Sequence, residues 1–435
     1  MHFLTSRFET RVVALGRCVR LPFPGRHALP ALLLLASSAA AQTLSLDEAL
    51  RLAATGQPLL ESQRAGIEAS RHDAVAAAQL PDPKLKLGVL NLPLSGDEAY
   101  SLNRDSMTMR MVGVMQEFPR AEKRRLRAEL IQLDGEQKTL ELDFTQRMIR
   151  RDAGVAWLEV WFAERAAETV RALQKETETW IETLAIGLRT GRTGAAEVAA
   201  ARVDLELLGD RQAEYLRQSA VARADLARWV GAAAGRPLPQ EPPQFPEPLA
   251  AGQLLTHLEQ HPHLSAYAKQ AQMADTDARL AQQASRPDWN VELSYAQRGS
   301  AYSDMVSIQF GIDLPLFQHN RQDRTVLSRL ADAQRVRALL DDNLRQMRAD
   351  VQRITAERDA ALSRVTRFRE RILPQAQARV EAASADYRSG NGKLAEVLQA
   401  RRALLDLQLE QLMRETRAAR AGLELDYFAV RGNGQ

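Results

Sequence analysis

Polar and apolar residues alternate with period two in four short stretches of this chain, and most of what lies between them has helical periodicity. In Met305–Pro315, Val306, Ile308, Phe310, Ile312 and Leu314 fall on one side and Ser307, Gln309, Gly311 and Asp313 on the other. Just upstream, Asp288–Gln297 sets Trp289, Val291, Leu293 and Tyr295 against Asp288, Asn290, Glu292 and Ser294. The polar segment RGSAYSD between them suits a hairpin tip. Lys84–Leu92 opposes Leu85, Leu87 and Val89 to Lys84, Lys86 and Gly88, and after the polar loop Ser95–Asp105 comes Ser106–Glu117. Alternation over about ten residues is what a strand needs when one face meets lipid and the other a watery lumen.

The intervening segments predict long helices. Ser45–Gln79 reads as one helix, opened by a capping pair of Ser45 and Glu48 and stopped by Leu80-Pro81-Asp82-Pro83. From Arg120 to about Gly187 there is no proline, and Leu126, Leu130, Leu133, Leu140 and Phe144 step by fours and threes with one gap, as in a coiled-coil seam. A helix of that length spans roughly 100 Å. Three glycines in Gly187–Gly194 break it, and Ala195–Val230 resumes as helix. In the second half the seam runs through Leu340, Leu344, Met347, Val351, Ile354, Ala361, Val365, Phe368 and Ile372, with a kink expected at Pro374. After Gly390 and Gly392, Leu394, Leu398, Leu405, Leu409 and Leu412 take it up again.

The order helix, two strands, long helix, glycine break, helix therefore occurs twice. Pro58, Asp73 and Pro83 match Pro262, Asp277 and Pro287 at an offset of 204. Leu188, Gly191, Glu197, Val198 and Arg202 match Tyr387, Gly390, Glu396, Val397 and Arg401 at 199. The expected division is a signal peptide at 1–41, a first repeat at 42–234, a proline-rich linker at 235–250 and a second repeat at 251–435. The signal reading rests on Arg7, Arg11, Arg17, Arg20 and Arg26, the apolar run Ala28–Ala36 and the small residues Ala39-Ala40-Ala41.

Four strands cannot close a barrel, and an open edge in lipid leaves backbone groups without hydrogen bonds. The sequence thus asks for an oligomer; three chains would supply twelve strands.

Charge and composition narrow the function. The formal charge of +3 comes from the first 41 residues, which carry five Arg and one Glu; the remainder has a net charge of −1. No basic footprint for nucleic acid is left. Cys18, the single cysteine, lies inside the signal segment, so a mature chain has no disulfide or thiolate ligand. No P-loop, dinucleotide fingerprint, HExxH or GxSxG occurs, and neither an enzyme nor a cofactor is expected. His257, His261 and His263 with Glu259 offer a histidine cluster, but Pro262 interrupts it and the matching segment around Pro58 has no histidine, so no metal site is expected. Met107, Met109, Met111 and Met115 share one side of their strand. They read as a lipid-facing stripe, with Thr108, Arg110 and Gln116 toward a lumen; the sharper alternative is thioether binding of Cu(I) or Ag(I).

From about Ser45 to Phe428 the chain resembles the TolC family of outer-membrane channel components. The likeness is carried by SLDEALRLA, LPDPKLKLG, GIDLPLF and, most specifically, the helix breaks GLRTGRTGAAEVAAAR and YRSGNGKLAEVLQAR. Within the family, GIDLPLFQHNRQ, ILPQAQARVEAA and NLPLSGDEAYSLNRDSMTMRMVGVMQEFP resemble the heavy-metal branch of CzcC- and CusC-like proteins.

The resemblance implies a mainly α chain with transmembrane β: a homotrimer with a 12-stranded barrel in the outer membrane of a Gram-negative bacterium and a coiled-coil helical barrel reaching into the periplasm. Such a channel is passive, receiving heavy-metal cations from an inner-membrane RND pump through a periplasmic membrane-fusion adaptor. Drugs or type I secreted proteins are alternative cargoes, and a pore-less periplasmic coiled-coil adaptor is the alternative in another class. By the same resemblance, Leu188, Arg189, Thr190 and Gly191, with Arg388, Ser389 and Gly390, form adaptor-docking tips, and Tyr387 and Glu396 line an entrance gate. The family's second gate acid falls on Gln399 and its tip arginine on Gly392, next to Lys393. Lys84, Lys86, Arg110, Asp288, Asn290 and Glu292 are expected to face the barrel lumen.

Overall fold

A computed structural model of the chain describes residues 43–191, 193–242 and 249–430. The proposed signal peptide, part of the proline-rich linker and the last five residues lie outside them. The first repeat comprises α1 (Leu46–Ala53), α2 (Pro58–Ala78), β1 (Lys84–Leu90), β2 (Met109–Phe118), α3 (Ala121–Arg189) and α4 (Ala195–Val230). The second comprises α5 (Ala251–His257), α6 (Pro262–Gln283), β3 (Trp289–Gln297), β4 (Met305–Ile312), α7 (Gln322–Arg367), α8 (Leu373–Ser389) and α9 (Leu394–Phe428).

The expected helix Ser45–Gln79 is two helices. Gly56 takes a left-handed φ of 69° and Pro58 opens α2, so the chain turns where the sequence reading ran straight through. The expected capping pair is half formed. Ser45 Oγ accepts the Glu48 N–H at 3.2 Å, but the Glu48 carboxylate turns to the Arg236 guanidinium, 2.8 and 3.1 Å away.

Long helix α3 is unbroken over 69 residues. Its repeat-mate is not. Between α7 and α8 the residues Phe368–Ile372 form a π-helical turn immediately before Pro374. Proline has no N–H for the carbonyl four residues back and crowds it sterically, so the ladder widens by one residue there. The seam positions are apolar because they are covered: Val351, Ile354, Val365 and Phe368 on this helical stretch, and Leu405 and Leu409 on α9, are all buried.

Two cores lie beside the linker. In the first repeat Trp157 and Trp161 of α3 pack with Leu44, Leu50, Leu226 and Leu238. Their indole N–H groups donate to the Leu44 carbonyl at 2.9 Å and the Pro239 carbonyl at 3.1 Å, so each buried polar tip is satisfied. The second repeat builds its equivalent from Leu254, Leu258 and Leu264 against Met347, Val351, Leu425 and Phe428.

All four strands form a single antiparallel sheet in the order β1-β2-β3-β4, with the β2–β3 pairing joining the repeats. Asp288, expected on the sheet's polar face, instead precedes β3 and ties sheet to helix. Its carboxylate accepts the Arg120 N–H at 2.9 Å and faces Lys123 Nζ at 2.8 Å.

Candidate functional site

The register of the sheet defines its two faces. Residues paired across antiparallel strands point the same way, so one known face fixes the rest. Leu85, Leu87 and Val89 of β1 stand beside Val114, Val112 and Arg110 of β2. These continue into Leu293, Tyr295 and Gln297 of β3, and Ile308 and Val306 of β4 extend the rows. Phe118 and Trp289 stack at 4.2 Å where this apolar face meets the helices. The opposite face carries Lys84, Lys86, Glu117, Asn290, Glu292, Ser294, Ser307 and Gln309.

Two expectations for β2 are corrected by this register. Arg110 and Gln116 lie on the apolar face, Arg110 in the outermost row with Val89 and Gln297 and Gln116 beside Val291. Met109, Met111 and Met115 lie on the polar face, in line with Leu90, Gly88 and Lys84 of β1. The apolar face of β2 is made instead by Val112 and Val114.

The apolar face is open, with Phe310 77% and Leu293 53% exposed. On the other face Ser294 and Ala296 are only 4% and 5% exposed. The strands pack on one another and not on a helix, so this difference means that the sheet curls toward its polar side. Two cross-strand ion pairs span that side, Lys84–Glu117 and Lys86–Glu292, each at 2.5 Å. An apolar exterior, a polar concave interior and unpaired edges at β1 and β4 are the properties of a barrel segment awaiting its neighbours.

At the other end of the long helices, the two glycine breaks form tips. Helix α3 ends at Arg189, and Gly191 has φ 70°. Helix α8 ends at Ser389, with Gly390 at φ 79°, and the Asp386 carbonyl accepts N–H groups from Asn391 and Gly392 at 2.9 and 3.0 Å. The next helices begin alike: Glu197 N–H donates to the Gly194 carbonyl, and Glu396 N–H to the Lys393 carbonyl, both at 3.1 Å. Leu188, Arg189, Thr190, Arg388 and Ser389 are exposed at these turns.

Tyr387 and Glu396 have different surroundings. The Tyr387 ring meets Trp180 of α3 edge-on at 5.7 Å and packs on a cluster of Leu184, Val198, Leu394, Val397 and Leu398. That cluster draws on the helices of both repeats. Glu396 is exposed in the first turn of α9 and makes no ion pair among the described residues. Sequence reasoning missed the ties beside it: Arg401 of α9 pairs with Glu176 and lies over the Trp180 ring at 5.5 Å, and Arg402 pairs with Asp204 of α4. Only the exact repeat match of Arg202 and Arg401 hinted at Arg401.

The histidines are used by the fold. His261 is buried; its Nε2–H donates to the Tyr427 carbonyl at 3.0 Å, and its Nδ1 accepts the His263 N–H at the start of α6. Burial pushes the His261 imidazole down to about 4. His263 stacks on Phe144 at 4.6 Å.

No helix among the described residues is long and apolar enough to cross a membrane. Architecturally the chain combines long coiled helices with one small four-stranded antiparallel sheet. Residues 255–427 match the family described as outer membrane efflux protein, a span that runs from α5 to the last turn of α9. No curated protein sequence matches the chain. Among solved structures, a membrane protein of Pseudomonas aeruginosa superposes with a TM-score of 0.77 at 16% identity, over 88% of this chain and 92% of that one. CusC, described in terms of transmembrane channel formation, gives 0.73 at 15% identity, over 89% and 92%. The outer membrane protein VceC of Vibrio cholerae gives 0.72 at 20% identity, over 88% and 94%. The matched family and fold are those of channels, not of enzymes.

Proposed function

We propose that the protein is the outer-membrane channel of a tripartite efflux system, a homotrimer that passively conducts heavy-metal cations from the periplasm to the exterior. The observation that carries this reading is the two-faced, curled sheet with free edges at β1 and β4. In lipid those edges require partner strands, and further copies of the chain supply them. A pore-less coiled-coil adaptor would leave the exposed apolar face of the sheet without a purpose. The tips at Gly191 and Gly390 are the docking surface for a periplasmic adaptor, which links the channel to an inner-membrane RND pump. Tyr387 and Glu396 belong to the entrance gate, where three Glu396 carboxylates around one axis would favour cations. The assignment of metal cargo is supported by the likeness of GIDLPLFQHNRQ and ILPQAQARVEAA to the heavy-metal branch.

Two measurements test this. Cysteines placed singly in β1 and β4 should cross-link into covalent trimers in outer-membrane fractions; cross-links confined to dimers, or a protein released without detergent, would overturn the channel. A deletion strain should be sensitive to copper, silver, zinc, cobalt or cadmium; sensitivity to detergents and antibiotics alone would overturn the metal cargo.

A further inference from the structure

The apolar face of β2 has an arginine beyond each end. Arg110 stands in its outermost row. Arg120 follows Phe118 by two residues with its own backbone still extended, φ −54° and ψ 140°, so it prolongs the row of Val112, Val114 and Phe118. Ten residues of strand rise about 33 Å, and at a tilt of about 40° they cover about 25 Å along a membrane normal, the height of a barrel's apolar band. In a membrane Arg120 therefore reaches the headgroup level on the side of the helices, next to the Phe118–Trp289 stack.

The surroundings of Arg120 hold its side chain without neutralising it. Its backbone N–H donates to Asp288 Oδ1 at 2.9 Å and its Nε–H to the Pro287 carbonyl at 3.0 Å, while its Nη groups make no hydrogen bond among the described residues. The carboxylates nearby are engaged elsewhere. Asp288 takes Lys123 Nζ at 2.8 Å, and Glu122 takes Arg125 through bonds of 2.9 and 2.7 Å. Asp313, whose N–H bonds the Asp288 carbonyl, alternates to the polar side of the sheet. Arg286, beside the proline that anchors Arg120, is exposed and makes no ion pair among the described residues. Nor does Arg120 serve helix α3, because positive charge at a helix start opposes its dipole.

A guanidinium pinned at Nε with its outer fork free is suited to a phosphate, and the adjoining rings offer an acyl chain an apolar surface. Resting on the channel reading above, we infer that Arg120, Arg286 and the Phe118–Trp289 stack form a site for a glycerophospholipid of the inner leaflet. The phosphate lies on the guanidinium groups and an acyl chain along the rings. With the neighbouring carboxylates engaged, nothing receives an ammonium, so the site favours an anionic headgroup such as phosphatidylglycerol over a zwitterionic one.

Tryptophan fluorescence tests this, because Trp289 is the one tryptophan of five on the sheet; Trp157, Trp161, Trp180 and Trp229 lie on helices α3 and α4. The purified full-length protein is placed in phosphatidylcholine vesicles containing brominated phosphatidylglycerol or brominated phosphatidylcholine, whose acyl bromines quench only tryptophan in lipid. The wild type should bind the anionic lipid about fivefold more strongly at Trp289, and Arg120→Gln/Arg286→Gln should bring that ratio to about one. Inorganic phosphate, at equal ionic strength to chloride, should leave the wild-type ratio unchanged; abolition of the preference by phosphate would overturn the lipid as occupant. Should the double variant fail to insert, Arg286→Gln alone, which removes no side-chain contact seen in the structure, should lower the ratio roughly twofold. Equal binding of the two lipids by the wild type, or a preference that survives the substitutions, would overturn the site alone. Absence of quenching by either lipid in the wild type would place Trp289 outside lipid and overturn the channel reading.

Discussion

Lys86 of β1 reaches over the intervening strand at Gly113 to bond Glu292 of β3, Nζ to Oε2, at 2.5 Å. Gly113 is what leaves the path open. A Cβ there would stand 2.9 Å from Ser294 Cβ and 3.2 Å from the Leu293 carbonyl oxygen. Gly113→Val is therefore expected to overpack the concave face, costing about 1–3 kcal/mol. Urea denaturation of the purified protein measures this; an unchanged midpoint would mean that the sheet is flatter than described.

The face assignment of β2 separates Arg110 from the lumen lysines. Arg110→Ala should leave the anion-to-cation permeability ratio of single channels where it was, whereas Lys84→Ala or Lys86→Ala should move it toward cations. A shift with Arg110→Ala as large as with Lys84→Ala would return Arg110 to the lumen.

His261 makes stability depend on pH. Its imidazole, ordinarily near 6.5, is pushed down to about 4 by burial. Below pH 6.5 the unfolded chain binds a proton at this residue that the folded chain excludes. Stability therefore falls as pH drops from about 6.5 to about 4, by about 3 kcal/mol per chain, and then levels off. His261→Asn should flatten that stretch of the pH–stability curve measured by urea midpoints. A wild-type curve already flat there would show that the imidazole is solvated.

At the tips, Gly390→Pro demands a φ near −65° where the chain has 79°. Because the tip is remote from the sheet and both linker-end cores, this variant and Gly191→Pro should still form trimers. Growth on the metal to which the deletion strain is sensitive should nonetheless fall to the deletion level. Normal export by assembled Gly390→Pro trimers would count against docking there.

Glu396→Ala tests the gate. Removing the exposed carboxylate should lower cation preference and raise single-channel conductance. Unchanged conductance would leave Glu396 a solvated acid that merely complements the α9 N-terminus.

Much of this architecture can be read in the residues because it is written locally. The long helices, their glycine breaks and the faces of β1, β3 and β4 follow from periodicity and punctuation. Strand β2 does not yield to the same reading: Met109, Met111 and Met115 on one side and Val112 and Val114 on the other are both apolar sets. Only pairing with β1 and β3, the latter far away in sequence, decides between them, and a one-residue slip would exchange them. The break before α2 was signalled by Gly56 and Pro58 and outweighed by the helical composition around them. The contacts of Arg401 with Glu176 and Trp180 join different helices and have no local signature.

The two repeats also differ mechanically. Helix α3 is a continuous strut from the sheet to its tip, whereas its counterpart has a joint at Phe368–Ile372, where the hydrogen-bond ladder widens into a π turn. A force applied at the tips is carried rigidly by the first arm and relieved by flexure in the second. Near-duplicate halves thus give one chain both a mast and a lever.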